Sequence, residues 1–260
     1  MNLNHHYYKV VKIFKTASII LSTSGGNHDS EVVWIYNYLD EEVLLHKYAG
    51  ANNNFRFVPA PCNRFPAQVI YQTGYDSTPE SVAVADVNGD SKPDIIVANY
   101  GRDNVSVLLN TGNGIFADQV TYSTGSGPNS VAAADVNGDN KPDIIVTNIG
   151  ANNVGVLLNT GNGAFADQVT YSTGSTPRYV AAADVNGDSK PDIIVANYGT
   201  NNVGVLLNTG NGTFANQVTY STGSSSRPYS VAAADVNGDT KLDIIVANNG
   251  ANNVGVILNT

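Results

Sequence analysis

One pentapeptide, Asp-Val-Asn-Gly-Asp, occurs four times in this chain of 260 residues, opening at Asp86, Asp135, Asp184 and Asp235 at intervals of 49, 49 and 51 residues. Self-similarity at such a period limits the chain to architectures that stack one supersecondary unit. The surrounding unit is long. Residues 131–174 and 180–223 agree at 38 of 44 positions. Such closeness points to recent duplication, so the places where the copies differ carry the information.

Four strands are legible in each unit. In the second copy the first is 131–134, small and apolar. The next, 143–147, is an unbroken apolar run, as in a strand buried on both faces. A third spans 154–158, and the fourth, 168–172, alternates and reads as half exposed. Asn-Gly-Asp, Gly-Ala-Asn-Asn and Thr-Gly-Asn-Gly separate them as turns. Four short strands per 45–50 residues predict an all-β fold, a β-propeller or incomplete propeller of four-stranded blades. The alanine-rich first strand suits the crowded inner end of a blade. A parallel β-helix would use shorter coils, and a leucine-rich horseshoe needs a helical half-repeat.

The blades are placed at about 81–126, 130–174, 179–223 and 230–260, the last stopping after its third strand. Residues 65–74 read as a fourth strand with no well-matched strands before it, so 65–260 is taken as the repeat region. In the irregular segment 1–64, stretches 18–21, 32–36 and 43–46 could make a degenerate blade, with 7–15 as an outer strand closing the ring. The alternative is unrelated sequence ahead of a piece of a longer propeller.

Twelve of the 22 Asp and Glu fall in one pattern, Asp-x-Asn-x-Asp-x-x-x-Asp. The first copy is Asp86, Asn88, Asp90 and Asp94, and the second Asp135, Asn137, Asp139 and Asp143. The third is Asp184, Asn186, Asp188 and Asp192, and the fourth Asp235, Asn237, Asp239 and Asp243. Oxygens at positions 1, 3 and 5 of a tight loop converge on one hard cation, with a backbone carbonyl at position 7. Lys92, Lys141, Lys190 and Lys241 hold position 7, where only the carbonyl is needed and the ammonium can point to water. The Asp at position 9 closes the site, and Gly at position 4 permits a left-handed residue. Without a cation, like-charged pairs ~4 Å apart cost up to ~4 kcal/mol each at an effective dielectric near 20. About four Ca²⁺ per chain are therefore expected, bringing the net charge of −9 close to neutral. An EF-hand would carry Gly at 6, Glu at 12 and helical flanks. Here position 12 is Val and both flanks are strands. Dockerin modules add a further acid at 12 and a following helix, so they fit no better.

The unit, with this loop between its first and second strands, resembles the FG-GAP/VCBS-type repeat of integrin α-subunit propellers and many secreted repeat proteins. The resemblance covers residues 65–260. It implies a propeller, commonly seven-bladed, with calcium in the loops on one face and a partner on the opposite face, and hence an extracellular or cell-surface place.

Other classes fit poorly. A chain of net charge −9 lacks the basic face that nucleic acid requires, and no apolar run approaches the ~18 residues of a membrane span. The lone Cys62 excludes a disulfide within the chain. The apolar core within 15–22 is short for a signal peptide, leaving open a fragment, an incomplete start or a chain that is not exported. His5, His6, His28 and His46 all lie in the irregular segment, so no repeat holds a His-based catalytic constellation. Thr-Gly-Asn-Gly lacks the Lys-Ser/Thr of a phosphate cradle. The expectation is a non-catalytic, calcium-binding module for protein or glycan recognition and adhesion. The rivals are a structural scaffold in a larger protein and a non-catalytic domain of a secreted enzyme. Strand order puts Tyr100, Arg102, Arg178, Tyr179, Tyr198, Arg227 and Tyr229 at the end opposite the loops, where a protein or glycan ligand is expected.

Overall fold

The computed structural model describes residues 32–36, 42–46 and 68–260. Two compact units are present, Met1–Ile70 and Tyr71–Thr260. In the first, β1 (Val32–Tyr36) pairs antiparallel with β2 (Glu42–His46), Trp34 opposite Leu44. The other expected strands of 1–64, and Cys62, lie outside the described residues.

The second unit consists of four antiparallel sheets. The first contains β3 (Pro79–Ala85), β4 (Asp94–Asn99), β5 (Asn104–Leu108) and β8 (Val120–Ser123), in that order across the sheet. Between β5 and β8, β6 (Asn110–Gly112) and β7 (Ile115–Phe116) form a separate small hairpin. The second sheet contains β9 (Pro128–Ala134), β10 (Asp143–Asn148), β11 (Asn153–Leu157) and β14 (Val169–Ser172), with hairpin β12 (Asn159–Gly161) and β13 (Ala164–Phe165). The third repeats this with β15 (Pro177–Ala183), β16 (Asp192–Asn197), β17 (Asn202–Leu206) and β20 (Val218–Ser221), and hairpin β18 (Asn208–Gly210) and β19 (Thr213–Phe214). The fourth has three strands, β21 (Pro228–Ala234), β22 (Asp243–Asn248) and β23 (Asn253–Ile257). The four-strand reading of the unit is thus met. The Thr-Gly-Asn-Gly segments, read as turns, lie at the tips of small hairpins separate from the four-stranded sheets.

Burial explains the composition. β10 and β16 are covered along their whole length, which is why their sequence does not alternate. Ile144, Ile145, Ile193 and Ile194 are fully buried. The first strands β3, β9, β15 and β21 lie against one another in succession, and alanine gives them room to do so. Each core is shared by neighbours: Val105 and Val107 of the first sheet pack with Val131, Ile144 and Val146 of the second.

Antiparallel register fixes which connections share an end. Ala134 pairs with Asp143 at one end of the second sheet, so the acidic loop emerges there. Asn148 pairs with Pro128 and Asn153, and Asn153 with Ser172, at the other. The β10–β11 turn and the connections between sheets therefore leave from the end opposite the acidic loops.

Candidate functional site

Each acidic loop is folded around its first carboxylate. Asp135 Oδ1 accepts the backbone N–H groups of Gly138 (2.7 Å) and Asp139 (3.2 Å), and Oδ2 accepts that of Asn140 (2.7 Å). This wrapping requires left-handed residues: Gly89, Gly138, Gly187 and Gly238 have φ of 78 to 81°, as position 4 was expected to permit. Loops 1 and 3 repeat the pattern around Asp86 and Asp184.

The position-3 amides, expected as cation ligands, are engaged within their own loops. Asn88 Oδ1 accepts the backbone N–H of Asp90 at 3.0 Å. Asn137, Asn186 and Asn237 Oδ1 accept those of Asp139, Asp188 and Asp239, each at 2.9 Å. As the loop stands, the side-chain oxygen of Asn88 and of each counterpart shapes a turn. The physical reason is local, since an Asn side chain readily bonds the backbone two residues on. A carbonyl oxygen has a second lone pair, so the bond leaves Asn88 one free acceptor site. Asn88 and Asn137 are half-buried, whereas Asn186 and Asn237 are exposed. The next hairpin covers Asn88, where a Cβ on Gly163 would come 3.6 Å from the Asn88 Cβ.

In three of the loops the position-7 lysine, while exposed, pairs with the position-5 carboxylate. Lys92, Lys141 and Lys190 Nζ donate to Asp90, Asp139 and Asp188 Oδ2 at 2.9, 3.0 and 3.0 Å. A flexible four-carbon stem brings the ammonium to the nearest dense negative charge. These hydrogen bonds hold the three carboxyls below the usual Asp range. In the fourth loop Asp239 Oδ2 accepts instead from Asn237 Nδ2 at 3.0 Å. There Asp235 is held low by the N–H groups of Gly238 and Thr240.

Position 9 carries a role that the sequence did not disclose. Asp94, Asp143, Asp192 and Asp243 have no exposed surface. Asp143 Oδ2 accepts from the Val136 N–H (2.9 Å) and Oδ1 from the Asn159 N–H (2.7 Å), so one carboxylate joins the loop to hairpin β12–β13. The other three do the same with Val87 and Asn110, Val185 and Asn208, and Val236 and Asn259. Burial pushes the Asp143 and Asp192 carboxyls up against these N–H bonds, and the neighbouring Asp139 with Asp135, and Asp188 with Asp184, push the same way. The carboxylates of one loop thus share a field.

As the loops stand, no three His, Cys, Asp or Glu among the described residues are placed to hold a metal ion. The donor set nevertheless fits a hard divalent cation: carboxylates with unused lone pairs, an amide oxygen and backbone carbonyls. In three loops an ammonium supplies the positive charge at position 5.

At the opposite end the structure brings together four of the seven residues expected there. The Arg178 guanidinium lies 4.5 Å from the centre of the Tyr229 ring, and its Nη2 donates to the Tyr229 hydroxyl at 2.9 Å. Tyr198 meets Tyr229 edge to face at 6.4 Å, and Arg227 stands 5.8 Å from the Tyr198 ring. Two sheets contribute, since Arg178 belongs to β15 and Tyr229 to β21. Arg227 is held at φ 47° by Asn201 Oδ1, which accepts its N–H at 2.9 Å. Tyr179 is exposed nearby in sequence. Tyr100 and Arg102 belong to the first sheet's turn, where Arg102 Nε donates to the Tyr75 carbonyl at 2.7 Å.

Among solved structures, a Photorhabdus luminescens Tc holotoxin pore chain is 18% identical over 92% of this chain, with a TM-score of 0.43. Only 12% of that toxin chain is covered. A functionally unknown Desulfotomaculum acetoxidans protein is 13% identical over 94% of this chain and 72% of its own, with a TM-score of 0.48. The V. cholerae biofilm matrix protein Bap1 is 18% identical over 92% of this chain and 38% of its own, with a TM-score of 0.42. No curated protein matches the chain. The family described as FG-GAP-like repeat matches residues 86–146, 135–195 and 184–246, three consecutive overlapping repeats spanning more than half of the sequence. The chain belongs to the FG-GAP-like repeat family.

Proposed function

We propose that this chain is a non-catalytic, calcium-stabilised recognition module, a β-propeller or an arc of one, working outside the cell. The four loops each take one calcium ion through the position 1, 3 and 5 side chains and the position 7 carbonyl, after the lysine ammonium leaves position 5. In the first loop that set is Asp86, Asn88, Asp90 and the Lys92 carbonyl. Asp94, Asp143, Asp192 and Asp243 support the loops from behind through the backbone. Calcium thereby stiffens the sheets, and recognition happens at the other end.

The observation that carries the recognition reading is the Arg178–Tyr198–Arg227–Tyr229 cluster. Two guanidinium groups stand over aromatic rings in a chain of net charge −9. Such a surface offers flat apolar area with cationic donors beside it, which suits a protein or glycan bearing carboxylates. A titration against a uronate polysaccharide and an acidic peptide tests it, using the protein and a variant with Arg178, Arg227 and Tyr229 changed to Ala. Binding by the protein and its loss in the variant, at unchanged melting temperature, is expected. A second reading, a structural scaffold, draws on the bond from Arg178 to Tyr229, which ties two sheets together. It gains if the variant melts early and neither ligand binds the unaltered protein.

A further inference from the structure

We propose that Asn211 is the acceptor of an N-linked glycan, which the third repeat carries beside the acidic loop of the second. The inference rests on the extracellular part of the reading above. The tips of the three small hairpins read Asn113-Gly-Ile115, Asn162-Gly-Ala164 and Asn211-Gly-Thr213. Here the nearly identical repeats differ. Only the third tip is Asn-x-Thr, the pattern on which a transferase attaches oligosaccharide to a side-chain amide. One other stretch of the sequence has the pattern, Asn104-Val-Ser106.

The structure separates the two. Asn104 opens β5, and Ser106 within that strand is fully buried. Asn99 Nδ2 donates to both, at 2.8 Å to Asn104 Oδ1 and at 2.6 Å to Ser106 Oγ. Asn104 also lies between Asn99 and Ser123 of the neighbouring strands, so a sugar on its amide would press on the sheet. Asn211 lies instead between β18 and β19, where it and Gly212 have φ of 51° and 72°. Positive φ at both central residues makes this the Asn-Gly hairpin turn. Asn211 and Thr213 are exposed, and Gly212 between them is buried. Room for a bulky, hydrated group thus exists at Asn211 and not at Asn104.

The buried glycine sets the direction. The Gly212 N–H donates to the Val136 carbonyl at 3.1 Å. A Cβ on Gly212 would come 2.7 Å from Leu158 Cδ2 and 3.5 Å from Asn137 Cβ. The tip therefore lies on the second repeat, with Gly212 turned inward beside the acidic loop and its two neighbours exposed. Phe214, 8% exposed, holds the hairpin down on Tyr171. Asn208 of the same hairpin is the contrasting case, buried and with its Nδ2 donating to the Val136 and Pro191 carbonyls. A glycan on Asn211 thus rises from the end that carries the loops. Arg178 and Tyr229 stand at the other end, so the carbohydrate covers the loop side and leaves the aromatic and cationic surface open.

The donor is an oligosaccharide carried on a lipid pyrophosphate. Asn211 Nδ2 bonds the anomeric carbon as the bond from that carbon to the phosphate oxygen breaks. The lipid pyrophosphate leaves with the electron pair, and the amide proton goes to a base of the transferase. For the test, the full chain is placed behind a cleavable secretion leader in cultured animal cells, beside the Asn211→Gln, Thr213→Ala and Asn104→Gln variants. The expected result is one heavier form that peptide-N-glycosidase returns to the mass of the bare chain. Peptide mapping should then find Asp at position 211, the mark of a removed N-glycan. Asn211→Gln and Thr213→Ala should each abolish the heavier form, and Asn104→Gln should leave it. A chain that has lost its leader yet keeps the bare mass overturns the proposal, and so does a glycan that maps to Asn104. The leader fixes the compartment, so either failure counts against Asn211 alone and leaves the recognition reading standing.

Discussion

The side-chain amide of Asn159 donates to the backbone carbonyl of Val87 at 2.8 Å, reaching from one repeat into the acidic loop of the repeat before it. The same Asn159 gives its backbone N–H to Asp143, whose other oxygen takes the N–H of Val136 in the next loop. Asn208 and Asn259 repeat the reach to Val136 and Val185 at 2.9 and 2.7 Å. Neighbouring loops are therefore joined by an unbroken line of hydrogen bonds behind their charged faces. Asn159→Ala should destabilise the protein by about 1–3 kcal/mol, the cost of an unpaired buried acceptor. Asn110→Ala should do less, because among the described residues Asn110 Nδ2 reaches the Pro93 carbonyl alone. Urea unfolding of both variants checks this, and equal losses would show that the bond between repeats contributes nothing.

On the proposed calcium reading, lysine competes with the ion for the position-5 carboxylate. The Lys141–Asp139 pair is exposed, so displacing it costs about 0.2–1 kcal/mol. Lys141→Met should leave the calcium count unchanged and tighten the second loop by no more than about fivefold. Asp139→Ala should remove one ion. Calorimetric titration after dialysis against chelator distinguishes the two, and a loss of an ion in both would overturn the reading that position 7 contributes only its carbonyl.

Acid should unfold the calcium-free protein through the loops. Asp235 is held below its ordinary range by backbone N–H groups. A depressed folded pKa contributes stability above the unfolded value, about 3.9, and that stability is lost as pH falls. Asp143 and Asp192, raised by burial, act in the opposite sense and soften the slope. In chelator between pH 2.5 and 6, the Asp235→Asn variant should show a shallower fall in melting temperature than the unaltered protein. Parallel curves would mean that the N–H bonds do not favour the charged form.

Phe214 anchors hairpin β18–β19 on the sheet before it, meeting Tyr171 edge-on at 5.3 Å while 8% exposed. Phe214→Ala should cost about 3–5 kcal/mol. Phe116→Ala should cost less, because Phe116 is only half-buried. Thermal melts of the pair are sufficient to decide.

Read without its structure, the chain already discloses the unit: its period, its four strands, and the clustering of carboxylates between the first two. Those features are local. Strand period and turn chemistry act over a few residues, and 143–147 reads as a buried strand because Ile144, Ile145 and Val146 follow one another without a polar break. Which connections leave together is legible too, since antiparallel order puts Arg178 and Tyr229 at the end away from Asp139. What each polar residue does was settled by packing. Asp143 looks like Asp139 in sequence, but it is buried and spent on two N–H groups, because the Asn159 hairpin folds back over it. Asn88 and Asn186 occupy the same place in the pattern, yet only Asn88 is half-buried, beneath the hairpin of the next repeat. Lys141 stays exposed, yet its ammonium turns to Asp139, where negative charge is dense. The bond from Asn159 to Val87 spans 72 residues, and no local pattern encodes a partner that distant. It exists because one repeat is stacked on the next.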